Sequence, residues 1–450
     1  ALSKSSRFFY FFRKINMEYD ISRFFAQSEG MPFSSRKATM PWAGSAPIDR
    51  SIIQQQWNDL QQLDTGYQKT LLYLHIPFCE THCKFCGFYQ NRFEINAAQN
   101  YTEFLLKEIQ QHSQNKIYQQ HPIQAVYFGG GTPTALSTHN LSIILQALKN
   151  YFPLASDCEI TIETRVSEEN KEKLAACFAA GANRISIGVQ TFDTDIRRKL
   201  GRQSTQDQLL EFIDYLIKLD QGAIVCDLLF GLPGQTSEVL AKDLEWIESL
   251  QMDGVDLYAL NVLPNTILGK SVAVQRISIA TFEERQQLYL QGLKQLTEYN
   301  WRQISNSHWA RNTRERNLYN LLIKEHSNCL AFGCAAGGNI GRWSFMQQRE
   351  LPNYYQQVTQ NQKPIAMLMQ RPSWADKSAA VQGGIEKGFL ACGRYFNAEE
   401  LSILTPLFEQ WQQSGLCLYQ NTSLKLTPKG RFWASQLLNA LQQFIFLKAD

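Results

Sequence analysis

Three cysteines fall within eight positions, in the run His75-Ile76-Pro77-Phe78-Cys79-Glu80-Thr81-His82-Cys83-Lys84-Phe85-Cys86-Gly87-Phe88-Tyr89. The spacing is C-x3-C-x2-C. Thiolates are the ligands that hold iron–sulfur clusters, and a [4Fe–4S] cube has four irons. Three ligands, Cys79, Cys83 and Cys86, would leave one iron open to a small molecule that chelates through amino and carboxylate groups. A zinc site and unlinked buried cysteines are the alternative readings. Structural zinc wants four ligands, usually in paired C-x2-C arrangements. No second pair exists, although His82 could contribute. The other cysteines (Cys158, Cys177, Cys226, Cys329, Cys334, Cys392 and Cys417) are scattered, as buried small hydrophobes usually are. This usage points to a reducing cytoplasm and one metal site.

Further polar residues stand where strands end. Gly129-Gly130-Gly131-Thr132-Pro133-Thr134 follows an apolar strand, and glycines there let backbone approach a ligand and present N–H donors. Glu163 closes another strand, where a carboxylate could accept hydrogen bonds from a ligand's hydroxyls. Gln190 follows Ile185-Ser186-Ile187-Gly188-Val189, with Arg202 twelve residues on. Asp227 sits inside Val225-Cys226-Asp227-Leu228-Leu229-Phe230, and a charge in an apolar strand is costly unless it is partnered or used. Taken singly, each could equally be a structural ion pair or a solvated loop residue.

These residues need a frame that brings strand ends together. Short strands read at 71–76, 125–128, 159–163, 184–189, 224–230 and 254–260. Helical patterns separate them near 98–114, 141–151, 168–180, 206–219 and 238–250. Strands alternating with helices predict parallel βα units, whose active-site loops lie at the strands' C-terminal ends. Every motif above falls there. The expected fold is α/β: a partial (β/α)6 TIM-like barrel over 66–345, an irregular N-terminal arm over 1–65, and a small winged-helix-like α+β cap over 346–450. The cap is read from helix 398–414, a hairpin around 416–427 and a final helix. Winged helices often bind DNA, but basic residues are sparse here, which favours a structural lid.

At 450 residues, one large domain plus a smaller unit is the natural expectation. Hydrophobic residues make 44% and charged residues 19%, an ordinary globular balance. A formal net charge of +3 gives no reason to expect nucleic acid or a membrane surface as partner. No stretch approaches the roughly 20 uninterrupted apolar residues of a membrane span. The run Phe8-Phe9-Tyr10-Phe11-Phe12 lacks the aliphatic core and cleavage site of a signal peptide, and 1–16 reads as an extension upstream of Met17.

The C-x3-C-x2-C loop resembles the signature of the radical S-adenosylmethionine (SAM) superfamily. The wider Tyr73-Leu74-His75-Ile76-Pro77-Phe78-Cys79 is similar to the oxygen-independent coproporphyrinogen oxidase branch, over roughly 70–345. That resemblance implies two SAM molecules. Tyr73, Gly130 and Glu163 would serve the cluster-bound one, with Tyr73 and His75 at the catalytic centre. Phe85, Gly131, Thr132, Gln190, Arg202, Asp227 and Asn261 would serve the second.

True coproporphyrinogen oxidases carry a further cysteine two positions after the motif, where this chain has Phe88. The haem-chaperone branch typically has an aspartate after the third cysteine and a His-Asn-x-x-Tyr-Trp motif. Here Gly87 and Arg316-Asn317-Leu318-Tyr319-Asn320 stand instead. Cys-Gly-Phe-Tyr-Gln-Asn, together with Ala310-Arg311-Asn312-Thr313-Arg314-Glu315-Arg316-Asn317-Leu318-Tyr319, most resembles the HutW/ChuW haem-utilisation group, the anaerobilin synthases. The resemblance implies haem as substrate, oxygen-independent opening of its ring with methyl transfer, and a flavodoxin- or ferredoxin-type electron donor. Coproporphyrinogen dehydrogenation and haem chaperoning are the alternatives. Arg311, Arg314 and Arg316 could pair with haem propionates or form a solvated face. His308 and His326 could be axial ligands, but a lone His is more often a surface or satisfied core residue, and Trp309, Trp343 and Phe345 could line a flat pocket or be core.

Overall fold

The computed structural model describes residues 20–27, 29–36, 44–66 and 68–448; the aromatic run and the rest of 1–16 lie outside the described residues. The chain divides into two compact units. One is Gly44–Pro372, and the other joins Ser373–Asp450 to the described residues before Gly44.

In the larger unit the strands run β1 (Ala46–Pro47), β2 (Thr70–Ile76), β3 (Phe78–Cys79), β4 (Asn91–Arg92), β5 (Ile123–Gly130), β6 (Leu154–Thr164), β7 (Arg184–Gln190) and β8 (Ala223–Phe230). Then come β9 (Gly254–Ala259), β10 (Arg302–Gln303), β11 (His308–Ala310), β12 (Asn328–Phe332), β13 (Gly337–Ile340), β14 (Trp343–Gln347) and β15 (Ile365–Gln370). Among the described residues, the main sheet has the order β1-β15-β14-β13-β12-β2-β5-β6-β7-β8-β9-β11-β10. The six expected strands, β2 and β5 to β9, pair parallel in sequence order. A seventh parallel strand, β12, joins the outer edge of β2. All five of its residues are buried, so no alternation marked it in the sequence.

Period-two alternation shapes the barrel. Leu72, Leu74 and Ile76 of β2, Val126 and Phe128 of β5, and Ile185, Ile187 and Val189 of β7 are buried apolar side chains on one face. The opposite face carries Tyr73, His75, Tyr127, Glu163, Gln190 and Asp227. The helices supply the apolar cover: Leu209, Phe212, Ile213 and Leu216 of Gln206–Leu219 recur at helical spacing and are buried, behind a Thr205–Gln208 capping box.

The division of the chain differs from the expected 1–65, 66–345 and 346–450. Residues 44–65 hold strand β1, paired with β15, and helix Ile53–Gln61, whose Trp57 is buried against Phe345. Strands β14 and β15 are hydrogen-bonded to each other and, through β13, to the barrel, which carries the larger unit on to Pro372.

The smaller unit has the expected order of helix Ala398–Gln413, hairpin β17 (Cys417–Gln420) and β18 (Ser423–Leu426), and closing helix Ala434–Lys448, with β16 (Phe389–Ala391) completing its sheet. Gln410 fastens the described N-terminal residues to it, accepting from Ala26 N at 2.9 Å and donating to Ala26 O at 2.8 Å. No helix among the described residues is long and apolar enough to cross a membrane.

Candidate active site

Strand β2 delivers the chain to the barrel's C-terminal mouth, where the cysteine loop begins. Cys79 ends β3, which pairs parallel with β4. Asn91 N donates to Pro77 O at 3.1 Å and Phe93 N to Cys79 O at 3.0 Å, closing the loop at its base. Cys86 N turns back to Cys83 O at 3.1 Å. Each sulfur has a polar neighbour: Thr132 Oγ1 lies 3.4 Å from Cys79 Sγ, Arg165 Nη2 2.8 Å from Cys83 Sγ, and Phe88 N 3.3 Å from Cys86 Sγ. All three cysteines are free. Among the described residues no three His, Cys, Asp or Glu side chains form a single-ion site.

Behind the loop, Tyr73 OH lies 3.0 Å from His75 Nδ1. Burial lowers the His75 pKa to about 4, so the imidazole is neutral. Gly130, at φ +106°, lies so close to His75 that a Cβ there would come within 2.4 Å of the ring. Gly131 N donates to Ile76 O at 2.8 Å and Thr132 N to Phe78 O at 2.7 Å, stitching the Gly-rich turn to the cysteine loop. Glu163 accepts from Tyr127 OH at 2.7 Å, yet burial still pushes its carboxyl up to about 7.

The second group stands alongside. Gln190 has φ 71°, uncommon for a residue with a side chain, and sits where the β7–β8 register shifts. Such a bulge re-aims a side chain at a strand's end. Arg202 donates Nη1 to Gly188 O at 2.7 Å, lies 5.9 Å from the Phe85 ring, and keeps a buried Nε without a partner. Burial, then the neighbouring Asp256 and Glu163, raise Asp227 to about 8. Asn261 is exposed on the loop beyond β9. A cavity of about 390 Å³ opens beside the loop, lined by Thr81, Thr132, Arg165, Arg197 and Arg202 among others.

The remaining candidates lie elsewhere. Arg311 donates to Met252 O and Gln251, Arg314 pairs with Asp220 at 2.6 Å, and Arg316 with Asp157 at 3.0 Å. Those partners precede β9 and β8 or, for Asp157, lie in the irregular stretch of β6 before Glu159, at the end of the barrel opposite the cysteines. The propionate reading of these arginines is therefore corrected: they brace the N-terminal end. His308 is buried between Asp256 and Glu315, and His326 lies 3.3 Å from Arg371 Nη2, so neither stands at the mouth. Trp309 and Phe345 are core.

Two contributors escaped the sequence reading. Tyr127, two residues before Gly129, shares its face and could have been read from alternation. Arg165 has no local signal beyond lying just past Glu163.

The residues fit the groups that this loop implies. Three free thiols, each with a hydrogen-bonding neighbour, suit a cluster's thiolate ligands, and the mouth beside them offers the buried carboxyls of Glu163 and Asp227 and an orphaned guanidinium nitrogen for a polar, zwitterionic ligand.

Residues 73–247 match the model of the Radical SAM superfamily. The chain is similar in fold to coproporphyrinogen III oxidase (HemN) from Escherichia coli, a radical SAM enzyme, with TM-score 0.74 and 22% identity over 90% of this chain and 96% of that one. In sequence it is 26% identical to the oxygen-independent coproporphyrinogen III oxidase of Salmonella typhimurium, over 84% of this chain and 86% of the relative. It is 46% identical to the anaerobilin synthase of Escherichia coli O157:H7, over 96% of both chains. Membership implies a [4Fe–4S] cluster and SAM. An identity this high over this length places the two chains in one family, and the protein belongs to the radical SAM superfamily, in the anaerobilin synthase family.

Proposed function

We propose that this protein opens the porphyrin ring of haem without oxygen, as a radical SAM methyltransferase that releases iron and leaves a linear methylated tetrapyrrole. The near full-length identity to an anaerobilin synthase carries this reading. The exposed Phe88, where coproporphyrinogen oxidases keep a cysteine, supports it against dehydrogenation.

When bound, the cluster and SAM supply the one-electron cleavage that starts radical chemistry, and the methyl group. Cys79, Cys83 and Cys86 hold the cluster. Tyr73, Gly130 and Glu163 bind the first SAM, with neutral His75 holding Tyr73 in place. Phe85, Gly131, Thr132, Gln190, Arg202, Asp227 and Asn261 bind a second. Glu163 accepts hydroxyl donors best once ionised, above about pH 7. A flavodoxin- or ferredoxin-type protein donates the electron, in the cytoplasm.

The test is anaerobic incubation of the reconstituted protein with haem, SAM and a low-potential reductant. Loss of the Soret band with a methylated linear tetrapyrrole by mass supports the reading. Intact haem, merely bound, sinks it in favour of a chaperone.

A further inference from the structure

Three arginines approach the cysteine loop, and they are engaged differently. Arg197 spends Nε on Ser204 O at 2.8 Å and Nη1 on Thr191 O at 3.2 Å. Arg202 spends Nη1 on Gly188 O. Of these three, Arg165 is the one with a hydrogen bond to a cysteine sulfur: its Nη2 donates to Cys83 Sγ at 2.8 Å. Its second terminal nitrogen, Nη1, holds Thr81 O at 3.0 Å and Thr81 Oγ1 at 2.5 Å, two residues before Cys83. The backbone of Arg165 is fixed in turn, because Asn170 Nδ2 donates to Arg165 O at 2.9 Å and to Thr134 Oγ1 at 3.2 Å. The guanidinium therefore leaves the end of β6 as a rigid fork, with one tine on the loop backbone and the other on a sulfur that ligates iron.

We propose that Arg165 is a positioning residue that sets the reduction potential of the cluster through its hydrogen bond to the Cys83 thiolate. Potentials of iron–sulfur clusters depend on net charge and on hydrogen bonds to the sulfurs. One-electron reduction adds negative charge, part of which resides on the ligand sulfurs. A cationic donor on Cys83 stabilises the reduced state more than the oxidised one and raises the potential. A low-potential donor protein then reduces the cluster more completely. Lysine is a poor substitute, since its single ammonium cannot hold both Thr81 and the sulfur in a fixed fork. The inference needs the cluster that family membership implies. It does not depend on haem being the substrate.

The experiment is a potentiometric titration followed by electron paramagnetic resonance of the reduced cluster, with iron content measured on the same samples and haem left out. Arg165→Met, with iron retained, is expected to lower the reduction equilibrium constant at least tenfold, about 59 mV for one electron. Arg165→Lys is expected to fall between it and the parent. Thr81→Ala, which removes only a contact to the loop, should keep the parent potential. An unchanged midpoint in iron-loaded Arg165→Met overturns the proposal. Should Arg165→Met fail to hold iron, Arg165→Lys decides by the same criterion. Iron loss from both Arg165 variants and from Thr81→Ala also overturns it, because the tie to the loop would then be the whole role. Iron loss from both Arg165 variants with Thr81→Ala intact overturns it as well, because Arg165 would then retain the cluster rather than tune its potential.

Discussion

Arg184 and Glu315 face each other through three hydrogen bonds, Nε to Oε2 at 2.9 Å, Nε to Oε1 at 3.2 Å and Nη2 to Oε1 at 3.0 Å, with both side chains buried. Arg184 opens β7, and Glu315 lies on the segment after β11, so the pair ties that segment across the N-terminal end of the barrel. His308 Nε2 stands 3.0 Å from Glu315 Oε1, and its Nδ1 is 2.9 Å from Asp256. The barrel thus has a charged floor opposite the cysteine loop. A helix follows, and its Tyr319 stacks on Tyr127 with centroids 4.6 Å apart.

Breaking one side of that pair leaves a buried charge alone. Arg184→Met is expected to destabilise the larger unit by about 3–5 kcal/mol, and Glu315→Gln by a comparable amount. Anaerobic urea denaturation measures both. Arg314→Ala, whose pair with Asp220 is exposed, should change stability by less than about 1 kcal/mol.

The same group sets a pH dependence. Burial depresses His308, but Asp256 and Glu315 outweigh it and raise its pKa from 6.5 to about 9. Its stabilising contribution is complete below pH 6.5 and is lost as pH rises through 9. Burial raises Glu315, but Arg184 and His308 outweigh it and lower its pKa from 4.5 to about 2. Its contribution is complete above pH 4.5 and is lost as pH falls through 2. Melting temperatures should therefore fall from pH 6.5 to 9 in the parent, and His308→Gln should flatten that limb.

Glu163 is shifted in the opposite sense to Glu315. Its pKa is raised by burial from 4.5 to about 7, so ionisation weakens the folded state as pH climbs between those values. Glu163→Gln should be more stable than the parent at pH 8, by roughly 1–3 kcal/mol, and no more stable at pH 4. The same variant should bind SAM more weakly by calorimetry. A stability gain coupled to lost binding is what a strained functional carboxylate predicts.

Gly130→Ala tests the stitched turn. Its Cβ would lie 2.4 Å from the His75 ring, at a φ that side chains rarely adopt. The variant should lose about 1–3 kcal/mol from the backbone conformation alone. It should also lose SAM-dependent turnover, read as 5′-deoxyadenosine release. Gly341, at φ +51° with nothing within 4 Å, is the control: an alanine there meets strain without a clash.

Local order along the chain determined much of this protein. Hydrophobic alternation and helical spacing placed the six barrel strands within a few residues, because both report one element's own burial. The C-x3-C-x2-C loop marked the candidate cluster site, because its three cysteines lie within eight residues and need no distant partner. Glu163, Gln190 and Asp227 were legible as polar residues in or after apolar strands. Only the tertiary structure decided which residues stand together across long separations. The arginines 311, 314 and 316 follow an antiparallel strand that runs down β9, and that pairing carries them to the far end of the barrel. β12 finds β2 through 5 parallel partners that no periodicity announced. Arg165 meets Cys83 across 82 residues because the parallel strands β2 and β6, with β5 between them, bring their C-terminal ends to one rim. Residues remote in sequence become neighbours there, and the backbone pairing that makes them so leaves no mark on the side chains themselves.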